Sequence, residues 1–114
     1  MLINTFLDKL KTVPESVEFT ETMATIEANY HFSESAFSNG KQENEAGQNS
    51  GSCKLFSFAS LQKLTEQQTL ACFGIYYRND VLQHPQNDDH QNIRQFMLNG
   101  WSGITFSTPA LAAK

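Results

Sequence analysis

At 114 residues the chain suits one domain with one core, and its nine Phe, three Tyr and one Trp within 39% hydrophobic residues supply enough apolar bulk to offset chain entropy. A formal charge of −4, with Lys and Arg scattered singly, makes nucleic acid and anionic membrane surfaces poor partners. Two cysteines, Cys53 and Cys72, are too few for a disulfide framework and fit free thiols in a reducing, cytoplasmic setting. No apolar run approaches the length of a membrane span or a signal sequence.

Ile3, Phe6, Leu7 and Leu10 follow the i, i+3, i+4, i+7 spacing of one helix face, so a first amphipathic helix is predicted from Leu2 to Val13, stopped by Pro14. Thr20 is the expected cap of a second helix, with Phe19, Met23, Ile26 and Tyr30 on one side, ending near His31. Residues 32–37 have weak strand spacing. From Ser38 to Ser52 almost no apolar side chain occurs, and Gly40, Gly47 and Gly51 interrupt a run of Asn, Gln and Glu. This reads as one long polar loop, a feature that is either mobile or functional when it lies inside a small domain. A largely buried helix is expected over Cys53–Leu64, although the alternation Cys53, Leu55, Ser57 also suits a strand.

Thr65 and Gln68 have capping-box spacing, and the helix they open should carry Leu70, Phe73, Tyr77 and Val81 on one face. His84–Asn87 then turns the chain. Asp88 and Gln91 repeat the capping-box spacing before a last helix with Ile93, Phe96, Met97 and Trp101 inward. Gly100 and Gly103 bracket its end, and Ile104-Thr105-Phe106 alternates as a strand that could pair with residues 32–37. The sum is an α+β fold, one domain over residues 1–114, mostly helical with about five helices and a small two- or three-stranded antiparallel sheet.

Several segments together resemble a known family. They are Asn44-Glu45-Ala46-Gly47-Gln48-Asn49 with Gly51-Ser52-Cys53-Lys54, Gln68-Thr69-Leu70-Ala71-Cys72-Phe73-Gly74 with Tyr76-Tyr77-Arg78, and Asp89-His90-Gln91-Asn92-Ile93-Arg94 with Gly100-Trp101. With Pro14-Glu15-Ser16 and Ala28-Asn29-Tyr30, they make the chain similar, nearly end to end, to the HopJ-type family of type III effectors. The resemblance implies a proposed secretion route in plant-associated bacteria and no agreed enzyme activity. Type III substrates usually begin with a flexible Ser-rich leader, whereas an amphipathic helix is expected here, so a role inside the bacterium stays open.

The sharpest chemical candidate is Cys53, because Gln48-Asn49-Ser50-Gly51-Ser52-Cys53 followed by Phe56 locally resembles the segment around a papain-type nucleophile. A thiol at a helix N-terminus is expected to have a depressed pKa. Gln48 could donate to an oxyanion, His90 could act as base, and Asp89 or Asn92 could orient the imidazole. The competing reading makes Cys53 a small buried hydrophobe. His84, Asp88, Asp89 and His90, with His31 or Glu45, include metal-ligand types, but the spacing matches no ligand motif and no metal or cofactor is expected. Arg78 and Arg94 could clamp an anion or pair with Asp80 or Glu27. The favoured reading is a small binding or effector module. Its polar surface would combine the 38–52 loop, through Asn44, Glu45, Gln48 and Asn49, with the 84–90 turn and Asp89 and Asn92, and Arg78 is a further candidate. The partner would be a protein or a small molecule. The alternative is a cysteine-dependent hydrolase or transferase using Cys53 and His90.

Overall fold

A computed structural model describes residues 2–114. The elements in chain order are α1 (Ile3–Thr12), α2 (Phe19–Asn29), β1 (Tyr30–Phe32), β2 (Phe37–Asn39), β3 (Gln42–Asn44), α3 (Ser50–Leu61), α4 (Glu66–Ala71), α5 (Gln91–Asn99), β4 (Ile104–Phe106) and β5 (Leu111–Ala113). Short 3₁₀ turns occupy Pro14–Ser16 and Gly100–Gly103, and a π-helical segment spans Tyr76–Val81. The α+β architecture expected from the sequence is present: five α-helices lie beside small antiparallel sheets. One sheet has the order β3-β2-β4, and β1 pairs separately with β5.

Helix α1 buries Phe6 and Leu10, the centre of its predicted face. Helix α2 begins two residues earlier than a Thr20 cap would allow. Glu18 is its N-cap, and the Glu18 N–H donates to Glu21 Oε1 at 3.1 Å. Glu21 also takes Lys9 Nζ at 2.8 Å, which ties α1 to α2 and holds the Glu21 carboxyl below the usual carboxylate range. On the buried side Thr22 Oγ1 donates to the Cys72 carbonyl at 2.9 Å.

Helix α3 is the core's axis. Leu55, Phe56, Phe58 and Ala59 are all fully buried, so the strand alternative for this segment lapses. The Phe56 ring lies 5.0 Å from Phe96, 5.5 Å from Phe73, 6.3 Å from Phe37 and 6.4 Å from Trp101. Phe58 meets Phe6 and Tyr30 edge to face. The Trp101 indole is half-buried, stands edge-on to Phe96 at 5.1 Å, and donates Nε1–H to the Leu64 carbonyl. Met97, expected inward, is 44% exposed, because the chain leaves α5 through a 3₁₀ turn at Gly100 and carries Trp101 onto the core in its place.

Two further expectations are corrected. The segment from Thr65 to Val81 is not one helix. The Thr65–Gln68 capping box forms as predicted, but α4 ends at Ala71 and Gly74 takes a φ of +63°. A Cβ there would stand 2.8 Å from the Phe19 backbone nitrogen, so this reversal and the close approach of α2 both need glycine. The chain resumes in the wider π turn, and Val81 still reaches the core.

The predicted 38–52 loop is also mostly regular. Residues Phe37–Asn39 and Gln42–Asn44 form a β-hairpin, with Phe37 opposite Asn44 and Asn39 opposite Gln42, and α3 starts at Ser50. On its other side β2 pairs with β4, placing Phe37 opposite Phe106 with the rings stacked at 5.3 Å. The expected partner of Ile104–Phe106 is therefore found in β2, at the end of the 32–37 segment, while Phe32 pairs with Leu111 in the other sheet. Of the three buried residues of the hairpin strands only Phe37 is apolar; the other two are Asn39 and Asn44, which a hydropathy pattern reads as loop.

Because four other rings meet it, Phe56→Ala should destabilise the protein by about 3–5 kcal/mol. Urea unfolding followed by Trp101 fluorescence checks this, and a loss under about 1 kcal/mol would show that α3 is not the axis of the core.

Candidate functional site

The hairpin is bound to the rest of the molecule through amide side chains. Asn39 Nδ2 donates to the Asn92 carbonyl at 2.7 Å and to Asn92 Oδ1 at 3.1 Å. Asn44 Nδ2 donates to the Phe37 carbonyl and to Asn92 Oδ1, both at 3.2 Å. Asn44 Oδ1 accepts from Asn92 Nδ2 at 3.0 Å and from Asn49 Nδ2 at 2.7 Å. Asn39, Asn44 and Asn92 are buried, and Asn49 closes the network at its rim. The segment from Asn44 to Asn49 is ordered by its own polar groups, since Gln48 Oε1 accepts the Glu45 N–H and Gly47 supplies a φ of +90°.

This network brings the first turns of α3 and α5 to one cleft of about 390 Å³. Phe19, Phe73, Tyr76 and Ile93 provide its apolar surface. Polar groups come from Gln42, Asn49 and Ser52 on one side and from His90, Gln91 and Asn92 on the other. Both helices enter through a left-handed residue, Asn49 at φ 51° and His90 at φ 52°. The expected Asp88 cap of α5 is replaced by His90. Gln91 instead donates its side-chain amide to the Asp88 carbonyl.

The His90 imidazole is held from two directions. Its Nε2 lies 3.0 Å from Asp80 Oδ2, and its ring lies 5.3 Å from that of Tyr76. Both partners come from the π-helical segment Tyr76–Val81, and their four-residue separation puts both side chains on the face turned to the imidazole. Asp89, proposed as the orienting group, is 3.9 Å from Nε2 and is engaged by Arg94 at 2.7 Å, which lowers its carboxyl pKa. Asn92, the other proposed orienter, is committed to the amide network.

Cys53 does not line the cleft. It is the fourth residue of α3, its N–H already bonds the Asn49 carbonyl, and its 2%-exposed Sγ points to the Ser35 carbonyl at 3.6 Å. Burial pushes its pKa up, opposite to the depression expected of a helix N-terminus, because desolvation of the thiolate outweighs the opposing pull of the Ser35 and Ser57 hydrogen bonds and the Lys54 charge. Cys53 thus has the surroundings of the small buried thiol of the competing reading. Arg78 lies elsewhere, donating to the Pro14 and Val17 carbonyls, and Arg94 ties the 84–89 turn through Asp89 and the His84 and Pro85 carbonyls. Glu45 and Gln48 order the turn before α3 and do not line the cleft.

Sequence reasoning missed Asn39, Phe19, Tyr76, Ser52 and above all Asp80. Asp80 carries no motif, and it lies beyond the break at Gly74, so a helical period counted from Thr65 does not carry to it. Among the described residues, no group of three or more His, Cys, Asp and Glu is arranged to hold a metal ion, and no helix is long and apolar enough to cross a membrane.

Cys53 and Cys72 are both buried free thiols, and burial raises Cys72 to about 12. Ellman's reagent at neutral pH should therefore titrate neither thiol in the native protein and both in urea. Rapid native labelling of Cys53 would restore the reactive-thiol reading.

No curated protein matches the sequence. A solved structure described as "Crystal structure of unknown function protein VPA0580" is 56% identical, with the match covering 100% of this chain and 95% of that one at a TM-score of 0.99. The family profile described as HopJ type III effector protein matches residues 3–111, nearly the whole sequence, in agreement with the resemblance carried by the 44–54, 68–78 and 89–94 segments. The chain belongs to the HopJ type III effector family.

Proposed function

We propose that the protein is a binding module that receives a small polar ligand in the cleft between the first turns of α3 and α5. The observation that carries this reading is the convergence of unusual backbone on one concavity. Of the three non-glycine residues with positive φ, two are the caps that open onto the cleft, and the π-helical segment supplies its Tyr76 wall. Strained backbone costs free energy, and it collects where a site needs particular geometry. The volume is within the range of small-molecule sites, and an apolar wall with a few converging polar groups is their usual construction. The first-turn N–H groups of a helix lack intrahelical partners, so two such turns favour a ligand rich in hydrogen-bond acceptors. The family description adds that such a module would act after export through a type III system.

The test is a heteronuclear NMR titration with inorganic phosphate, citrate and glucose as probes. At least one should move the amides of Gly51, Ser52, Gln91 and Asn92 together, and His90→Ala should weaken that response. Shifts scattered away from these residues, or no shift with any probe, would contradict the proposal.

A further inference from the structure

His90 and Asp80 form a pair that ligand binding alone does not require. The carboxylate 3.0 Å from Nε2 accepts that nitrogen's proton, which assigns the neutral ring a tautomer with an unprotonated Nδ1. The ring packs at a tilt against Tyr76, 5.3 Å between centroids, and His90 lines the cleft from the left-handed residue that caps α5. A basic imidazole nitrogen oriented by a carboxylate beside a partly apolar pocket has the components of general-base catalysis.

We propose that the cleft hydrolyses small carboxylic esters with His90 as the general base and Asp80 as its positioning residue, an assignment that rests on the ligand-binding reading of the same cleft. In the first step His90 Nδ1 takes a proton from a water molecule as the water oxygen bonds to the ester carbonyl carbon. The carbonyl electron pair moves onto oxygen, where first-turn N–H groups of α3 receive the negative charge. The adduct then collapses, the bond to the alcohol oxygen breaks, and the proton held by His90 passes to that oxygen. Acid and alcohol leave, the imidazole is neutral again, and water is the only co-reactant. Phe19, Phe73 and Tyr76 offer apolar surface to the acyl or alcohol group. Cys53, under the first turn of α3 and facing Ser35, takes no part.

The experiment follows 4-nitrophenolate release from 4-nitrophenyl acetate and 4-nitrophenyl butyrate by the purified full chain. Saturable turnover is expected. His90→Gln should lower kcat/KM by about 100-fold or more. Asp80→Asn should lower kcat with KM little changed, Asp80→Glu should recover part of the loss, and Cys53→Ala should keep full activity. Each variant is compared at equal helical dichroism and thermal midpoint, and if His90→Gln fails to fold, the Asp80 pair decides the matter. The proposal is overturned by the absence of saturable turnover, by turnover that survives His90→Gln, by equal activity in Asp80→Asn, or by loss of activity in Cys53→Ala. Probe-induced shifts at Gly51 and Ser52 without turnover would end the hydrolytic assignment and leave ligand binding standing.

Discussion

Asn92 sits where the hairpin, α5 and the approach to α3 meet, and the arrangement of the cleft depends on the amides gathered around it. Its side chain both accepts and donates within the network, so Asn39, Asn44 and Asn92 fix one another's orientation. Buried polar groups of this kind are costly when unpaired and specific when paired. The network is not complete: among the described residues Asn39 Oδ1 is buried without a partner, a cost of about 1–3 kcal/mol that an apolar side chain would avoid. The amides keep β2 and β3 at a fixed distance from α5, and through Asn49 they set where α3 begins.

The second support is aromatic. From Phe56 in the core, ring contacts run to Phe73, from Phe73 to Phe19, from Phe19 to Tyr76 and from Tyr76 to His90. The imidazole at the cleft is thus connected to the most buried part of the molecule by a line of ring contacts that opens to solvent at Tyr76. Gly51 and Gly74 make the chain of rings possible from the backbone side. A Cβ at Gly51 would stand 3.0 Å from the Phe19 ring, and one at Gly74 would meet the backbone at Phe19. Phe19 is therefore seated between two close backbone approaches, which accounts for both glycines without reference to flexibility.

Much of this was legible in the sequence. The apolar spacing of α1, the Thr65–Gln68 capping box and the alternation of Ile104–Phe106 each led to the observed element, because there local preference and tertiary contacts agree. The polar 38–52 segment was singled out as sharing one polar surface with Asn92, yet its hairpin was invisible. Strand recognition depends on apolar inward residues, and beyond Phe37 those places are taken here by Asn39 and Asn44. The His90 partner was missed for a different reason. Asp80 lies beyond the break at Gly74, where the chain restarts in a separate segment, so a helical period counted from Thr65 does not carry to it. For Cys53 two readings stood side by side, a thiol activated at a helix N-terminus and a small buried hydrophobe, and desolvation, which only the packing around it reveals, decides its pKa.

If the amide network fixes the cleft, its side-chain protons must be sheltered from solvent in the native state. Hydrogen exchange of the Nδ2 groups, resolved by NMR, measures this directly. The Asn39, Asn44 and Asn92 side-chain amides should exchange far more slowly than that of exposed Asn87, at a rate set by opening of the hairpin away from α5. Exchange of all three at the rate of Asn87 would show that the network is not formed in solution, and the cleft as described would lose its framework.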